Sequence, residues 1–550
     1  MHWPASIAMQ SKPDKGIALL LLALAAALGA GVGFGTSINP ALPLAILFGI
    51  VAVILLVLRP RWAFALFIFA LLVIEEFPSV QGETVERSTR TAFYAKSLGL
   101  GGLYAPDLWI IALLGIFLFL RLANHRRLGI VVDQIGWALM LIAFMATLSI
   151  VLSFTDGDPF AGGIIQETTG VAININEQAL KMIALFHFKL FFMMFAAYLL
   201  TQLIIETRAH LQDLLRVCFV GALACVAVGA ARIALNPGLI RQGLPLFYDS
   251  PSSWFFALFA MYTVVAWAHH LSPPRRIQMM TAISAVLMIF VLVSFRRTMW
   301  GAILLASIPL FFWLPSRARG RLVMILGVGF SLLLLIVLAT PLRDVILAPV
   351  LGRVEQTNVS DASTLYRLAI AVHIVDNFDT IPLFGHGARP LWNEIAALGF
   401  FRTNLENIHS LYWWWLLRTG LIGVLVGAIA IGMIFRQTWK SARTPASPQL
   451  RAIGIMIFLA FLMFLFSGIF NPVYAQVRYM VPVGIGLAIA TRILQLAREE
   501  RQGALAASRH SSRNMFTSTS SSPGSGVATI GVQQAICARS SWLQACSVWA

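Results

Sequence analysis

Long apolar runs alternate with short polar breaks along most of the chain. The runs fall at roughly 16 to 36, 41 to 58, 62 to 75, 105 to 121, 135 to 154, 179 to 205, 211 to 235, 253 to 270, 277 to 295, 298 to 315, 322 to 340, 409 to 435, 452 to 470 and 475 to 495. Most come close to the about 20 apolar residues that a helix needs to cross the hydrocarbon layer of a bilayer. Inside lipid a backbone must satisfy its own polar groups, so helices are the expected spanning element. The pattern therefore predicts an all-α, polytopic integral membrane protein with about 14 transmembrane helices.

One interior segment breaks this rhythm. Residues 341–408 form the longest stretch between spans, and long loops of this kind usually carry function. Its sequence predicts an amphipathic helix, "SDASTLYRLAIAVHIVDNF", opened by Ser360 or Asp361 as N-cap. A glycine-marked turn follows in "PLFGHGARP", then a second helix near "LWNEIAALGFF". The chain thus divides into spans over 1–340, a loop over 341–408, further spans over 409–496, and a tail over 497–550. That tail contains the serine-rich "SRHSSRNMFTSTSSSPGSG", and its composition predicts disorder.

Composition agrees with the pattern: 59% of residues are hydrophobic and only 11% charged. The mean hydropathy is +0.82, which excludes an ordinary soluble domain. The formal charge of +17 suggests at first a nucleic-acid partner, but its placement argues otherwise. Lys and Arg concentrate in alternate short loops such as "RPRW", "RLANHRR", "SPPRR", "SRARGR" and "RQTWKSAR". This is the positive-inside distribution, so the charge sets topology and no nucleic acid is implied. It places both termini in the cytoplasm and 341–408 outside it. The basic start and first apolar run read as a retained signal anchor. The four cysteines have neither CxxC nor metal-ligand spacing, and no internal repeat of the kind seen in many transporters is evident.

Candidate chemistry gathers on the predicted outer side. "VSFRRTMWG" sets Arg296 and Arg297 side by side where the charge rule disfavours them, either snorkelling to headgroups or forming an anion site. "NIHSLYWWWLLRTGLIG" opens a predicted helix with His409, a candidate base or an ordinary polar contact. Tyr412 and Trp413 belong to an aromatic run that serves either as a headgroup belt or as a platform for sugar or lipid. Gly420, Gly423 and Gly427 offer a small-residue face for a neighbouring helix, and Arg418 has no evident task. Lys181, His187 and Lys189 are intramembrane ionisable groups, of which Lys189 could touch a phosphate, while Arg232 is expected to snorkel. Asp156 and Asp158 form a DxD that reads better as a turn than as a metal site.

The run from Tyr366 to Gly423 resembles the signature region of the O-antigen ligase and polysaccharide polymerase superfamily. In that family an arginine-bearing loop helix precedes a P-L-x-G-x-G turn and a histidine-led helix of the form H-N-x-Y-L-x-x-x-x-E-x-G-L-x-G. This chain supplies Arg367, Pro382, Leu383, Gly385, Gly387, His409, Tyr412, Gly420, Leu421 and Gly423. "SFRRT" is similar to the family's S-R-x motif, with Arg297 the preferred match over Arg296. Ser410 replaces the usual asparagine, and Arg418 the common glutamate. The resemblance implies transfer of a glycan from an undecaprenyl-diphosphate carrier to a sugar hydroxyl, on a glycan or lipid A-core acceptor, at the periplasmic face of a bacterial inner membrane. It implies no metal or nucleotide cofactor. His409 would be the base, with Arg297 and Arg367 catalytic. Arg296, Arg389, Lys189, Tyr412, Trp413, Gly385 and Gly387 would bind substrate. A polymerase using the same donor, a flippase for lipid-linked sugars, and a metal-dependent glycosyltransferase using the DxD are the competing readings.

Overall fold

The computed structural model describes residues 58–75, 104–123, 130–153, 177–235, 250–294, 296–324, 362–376, 378–387 and 408–518, with a few isolated positions besides. Twelve helices are delimited there: α1 (Pro60–Val73), α2 (Ala105–Ala123), α3 (Gln134–Ser153), α4 (Glu177–Ile204), α5 (Arg208–Leu235), α6 (Ser250–Ala268), α7 (Pro274–Val293), α8 (Arg297–Trp313), α9 (Ala362–Asp376), α10 (Leu411–Arg443), α11 (Pro448–Phe470) and α12 (Val477–Ser518). Nine of them are long and apolar enough to cross a membrane, and α1 and α8 are shorter apolar helices. Eleven predicted spans thus have a described helix. Those at 16 to 36, 41 to 58 and 322 to 340 lie wholly or largely outside the described residues, as do Arg389, Asp156, Asp158, the second loop helix and everything after Ser518. Proline fixes several starts: Pro60, Pro274 and Pro448 each occupy the first turn of a helix, where the missing N–H is of no consequence. The last helix carries α-structure into the serine-rich sequence as far as Ser518.

Packing within the unit that ends at Gln495 joins α10 to α11 and α3, α8 to α11, α6 to α7, α1 to α5 and α2 to α4. The end at which α8 and α10 begin is here the upper end. At the lower end Asp133 holds four helices. Its Oδ1 accepts from the Ile135 and Gly136 amides of α3 at 3.0 Å and from Tyr198 Oη of α4 at 3.1 Å. Its Oδ2 accepts from Gln437 Nε2 of α10 at 2.9 Å and Thr491 Oγ1 of α12 at 2.8 Å. A half-buried carboxylate among apolar helices is well tolerated when so fully bonded.

Two charge ties lie on the far side of the upper end. Arg478, buried at the start of α12, donates to the Leu71 and Leu72 carbonyls that end α1 and to Ser252 Oγ of α6. Arg232 pairs with the buried carboxylate of Glu75 and lies over the Phe247 ring, so the expected snorkelling gives way to an internal ion pair.

The largest departure from expectation is in α10, predicted as one straight span from 409. Gly420 has φ 69° and ψ −168°, outside the helical region, and divides α10 into Leu411–Thr419 and Leu421–Arg443. Trp415 Nε1 donates to the Gly423 carbonyl at 2.7 Å, and a Cβ on Gly427 would lie 3.0 Å from the same nitrogen. In a straight helix Trp415 and Gly427 would be about 18 Å apart along the axis, beyond the reach of an indole. The first segment therefore folds back on the second, with Gly420 at the apex. Gly427 makes room for Trp415 and Gly423 for Thr419, both of their own helix, and not for a neighbouring one as expected.

Candidate functional site

Gly420 bends where it does because a remote turn fills the break. After α9 and the 3-10 turn Phe378–Thr380, the chain runs through Pro382–Gly387 with Gly385 at φ 73° and Gly387 at φ 61°. Residues with a Cβ disfavour this left-handed region by about 1–2 kcal/mol. The turn closes with Gly385 N–H donating to the Pro382 carbonyl at 2.8 Å. It then docks backbone to backbone on α10: His386 N–H donates to Leu417 O at 2.8 Å, Gly387 N–H to Arg418 O at 3.0 Å, and Ile422 N–H to Leu383 O at 3.2 Å. The carbonyls that the break releases from helical bonding are thus satisfied by the turn. A Cβ on Gly385 would lie 2.5 Å from the Arg418 carbonyl carbon and the Gly420 nitrogen, and one on Gly420 would collide with the Leu383 and Pro382 carbonyl oxygens. The two glycine motifs separated in sequence are one junction in space.

Arg418 completes that junction. It is fully buried, and its Nη1 donates to the Gly387 carbonyl at 2.8 Å while its own carbonyl also accepts from Ser149 Oγ of α3. A guanidinium supplies the donor that this carbonyl needs, which the family's glutamate could not do as a carboxylate.

His409 stands at the start of the folded-back segment, half-buried. Its flanks are fixed on both sides. Ile408 O accepts from Tyr474 Oη at 3.0 Å, and Ser410 caps the helix by accepting from Trp413 N–H at 3.5 Å. Serine and asparagine cap helices about equally well, so the replacement at Ser410 preserves this task. Beneath lies an aromatic cluster: Trp414 stacks on Tyr474 at 4.5 Å and on Phe191 at 5.8 Å, and His187 meets Tyr474 edge-on at 5.0 Å. Trp414 and Trp415 are buried packing residues, while Trp413 is half-buried and Tyr412 exposed, its hydroxyl donating to Leu465 O at 2.9 Å.

Arg296 and Arg297, both half-buried, start α8. Their position relative to His409 follows from α11. Ser467 Oγ donates to Met299 Sδ at 3.6 Å, and a Cβ on the adjacent Gly468 would lie 3.3 Å from Leu411. Arg297 and His409 each precede one of these contacts by two residues, so they flank the same end of α11. Arg367 is half-buried on the face of α9 that carries the buried Ile370 and Ile374, on the helix that precedes the docked turn. Lys189 is placed otherwise: its ammonium pairs with the wholly buried Asp107 and lies 4.3 Å from the centre of the Tyr104 ring. Asp107, Ser149 and Arg478 escaped the sequence reading because each sits in or beside a span with nothing local to mark its partner. Among the described residues no cluster of three His, Cys, Asp or Glu could hold a metal ion.

Comparison with known families bears on this geometry. Residues 282–428 match the family model described as O-antigen ligase. The match runs from α7 to just beyond the break in α10, and contains Arg296, Arg297, Arg367, the docked turn, His409 and Arg418. A search of curated proteins finds no match.

Proposed function

We propose, from an O-antigen ligase domain in residues 282–428 of a multi-pass membrane protein, that the chain is a glycosyl transferase of the ligase type. It takes a glycan from an undecaprenyl-diphosphate carrier and passes it to a sugar hydroxyl of a glycan or lipid A-core acceptor. The upper end of the bundle faces the periplasm in this reading, as the distribution of basic loops implies.

The observation that carries the proposal is the convergence of Arg297 and His409 on one end of α11, beside a glycine junction that joins the Arg367 segment to the His409 helix. The acceptor hydroxyl oxygen attacks the anomeric carbon, and its proton passes to the His409 imidazole. The bond from that carbon to the diphosphate oxygen breaks, and the electron pair leaves with the carrier diphosphate. Arg297 and Arg367 stabilise the charge that develops there, as planar guanidinium groups do for phosphate oxygens. Arg296, Tyr412 and Trp413 line the approach, with the turn glycines admitting the backbone closely.

The test is purified protein in detergent given a lipid-linked glycan and several acceptors. Release of carrier diphosphate together with a glycosylated acceptor is expected. Movement of the lipid-linked glycan across vesicles without bond formation would overturn the proposal. A product extended only when a second lipid-linked glycan is the acceptor would assign polymerisation instead.

A further inference from the structure

Contacts between helices serve as a ruler for depth. The lower pin joins α10 to α11, where Gly454 packs on the Ser441 carbonyl; the upper pin joins Gly468 to Leu411. Between these pins α11 rises about 21 Å, whereas α10 from Ser441 to Gly420 rises about 32 Å. Leu411 therefore lies about 10 Å nearer the lower end than the apex at Gly420. A second pair of pins agrees. Asp133 bonds Gln437 below and Ser149 bonds the Arg418 carbonyl above, and the rises along α3 and α10 between these levels are about 24 and 26 Å.

The level of the site relative to lipid follows from exposed apolar side chains. On α3 they run from Trp137 through Phe144 to Val151, above the level of Ser149, and on the Leu421–Arg443 segment of α10 they begin at Leu421 beside the apex. An apolar surface of this kind on a spanning helix faces acyl chains. His409, next to Leu411, and Arg297, next to the Met299 contact, thus lie below the upper edge of that surface.

We propose that Arg418 is a positioning residue: by pinning the Gly385–Gly387 turn into the break of α10, it holds His409 at acyl-chain depth, below the upper rim of the bundle. Its guanidinium touches the Gly387 carbonyl, and its effect reaches the reaction only through the fold-back of Leu411–Thr419. A base at that depth works shielded from bulk water, where a hydrogen-bonding or electrostatic contact counts for more. The depth stands on geometry alone, while the consequence for turnover rests on the transferase reading above.

Two measurements test it. In a variant with Cys218, Cys225, Cys537 and Cys546 replaced by serine, a bimane label is attached at Tyr412→Cys or at Leu421→Cys. Each protein is reconstituted in phosphatidylcholine vesicles carrying nitroxides at a shallow or a deep acyl position. A straight helix would put Leu421 about 14 Å deeper than position 412. The fold-back requires the reverse order, so a deeper Leu421 label overturns the proposal whatever the enzyme does. In the second, Arg418→Met is expected to lower kcat about tenfold or more with KM within about twofold, while Arg418→Gln and Arg418→Lys, which retain a donor, recover most of it. The label at position 412 should move toward the surface in Arg418→Met and return in Arg418→Gln. Equal turnover in all three variants, or a label that does not move in Arg418→Met, overturns the role of Arg418. If the labels show the expected order while the unlabelled parent protein glycosylates no acceptor, the depth stands and the transferase reading falls.

Discussion

The two ends of the bundle are held by opposite means. At the lower end one carboxylate, Asp133, bonds the first-turn amides of α3 and gathers side chains from α4, α10 and α12, which pass it unbroken. At the upper end the tie is backbone on backbone: the turn around Gly385 enters α10 and replaces helical hydrogen bonds with its own. The lower tie adds stability without altering the course of any helix. The upper tie gives up helical continuity, and in return sets the direction and depth of the segment that begins beside His409. Substitutions at the two ends should therefore separate stability from turnover.

The largest expected effect is His409→Ala, which should lower kcat by about 10²–10⁴-fold while leaving the thermal midpoint in detergent unchanged. Normal turnover in that variant would remove the base from the upper site. Gly420→Ala comes next. Its Cβ enters a left-handed backbone and the Leu383 carbonyl, so turnover per folded molecule should fall about 100-fold through misplacement of His409. Parent-like kinetics in this variant would show that the break is not needed for catalysis.

At the other end Asp133→Asn should act on stability alone. It turns one acceptor into a donor that faces Gln437 and Thr491, costing about 1–3 kcal/mol. Thermal unfolding should reveal the loss, and the remaining folded protein should turn over at close to the parent rate. A turnover defect as large as that of Gly420→Ala would erase the contrast between the ends. The smallest effect belongs to Ser410→Ala, which removes a helix cap worth about 1 kcal/mol, with Ser410→Asn restoring it.

Much of this was legible before any coordinates. The spans, the loop helix and the start of the helix after His409 follow from hydropathy and capping, and these are local properties. Arg296, Arg297 and the glycine turn stood out because their residue types suit an anion and a tight backbone, while Arg367 was marked only by the family resemblance. Arg418 was left without a task, since its partner is a carbonyl some thirty residues upstream in the chain, which no spacing rule identifies. Lys189 and Arg232 show the same limit. Both are costly charges inside spans, yet whether each faces substrate, headgroup or a buried carboxylate depends on which helix packs beside it.

The sequence by itself determined an all-helical membrane protein and a chemical vocabulary of arginines, a histidine and glycines, because apolar run length and residue type act locally. Only the tertiary structure decided that "LLRTGLIG" is an apex and not a straight span. A hydropathy window treats Gly420 as one more small residue, whereas its backbone angle is set by the turn that docks there from the distant loop. The depth of His409 was decided in the same way, by a contact between two segments that the chain keeps apart.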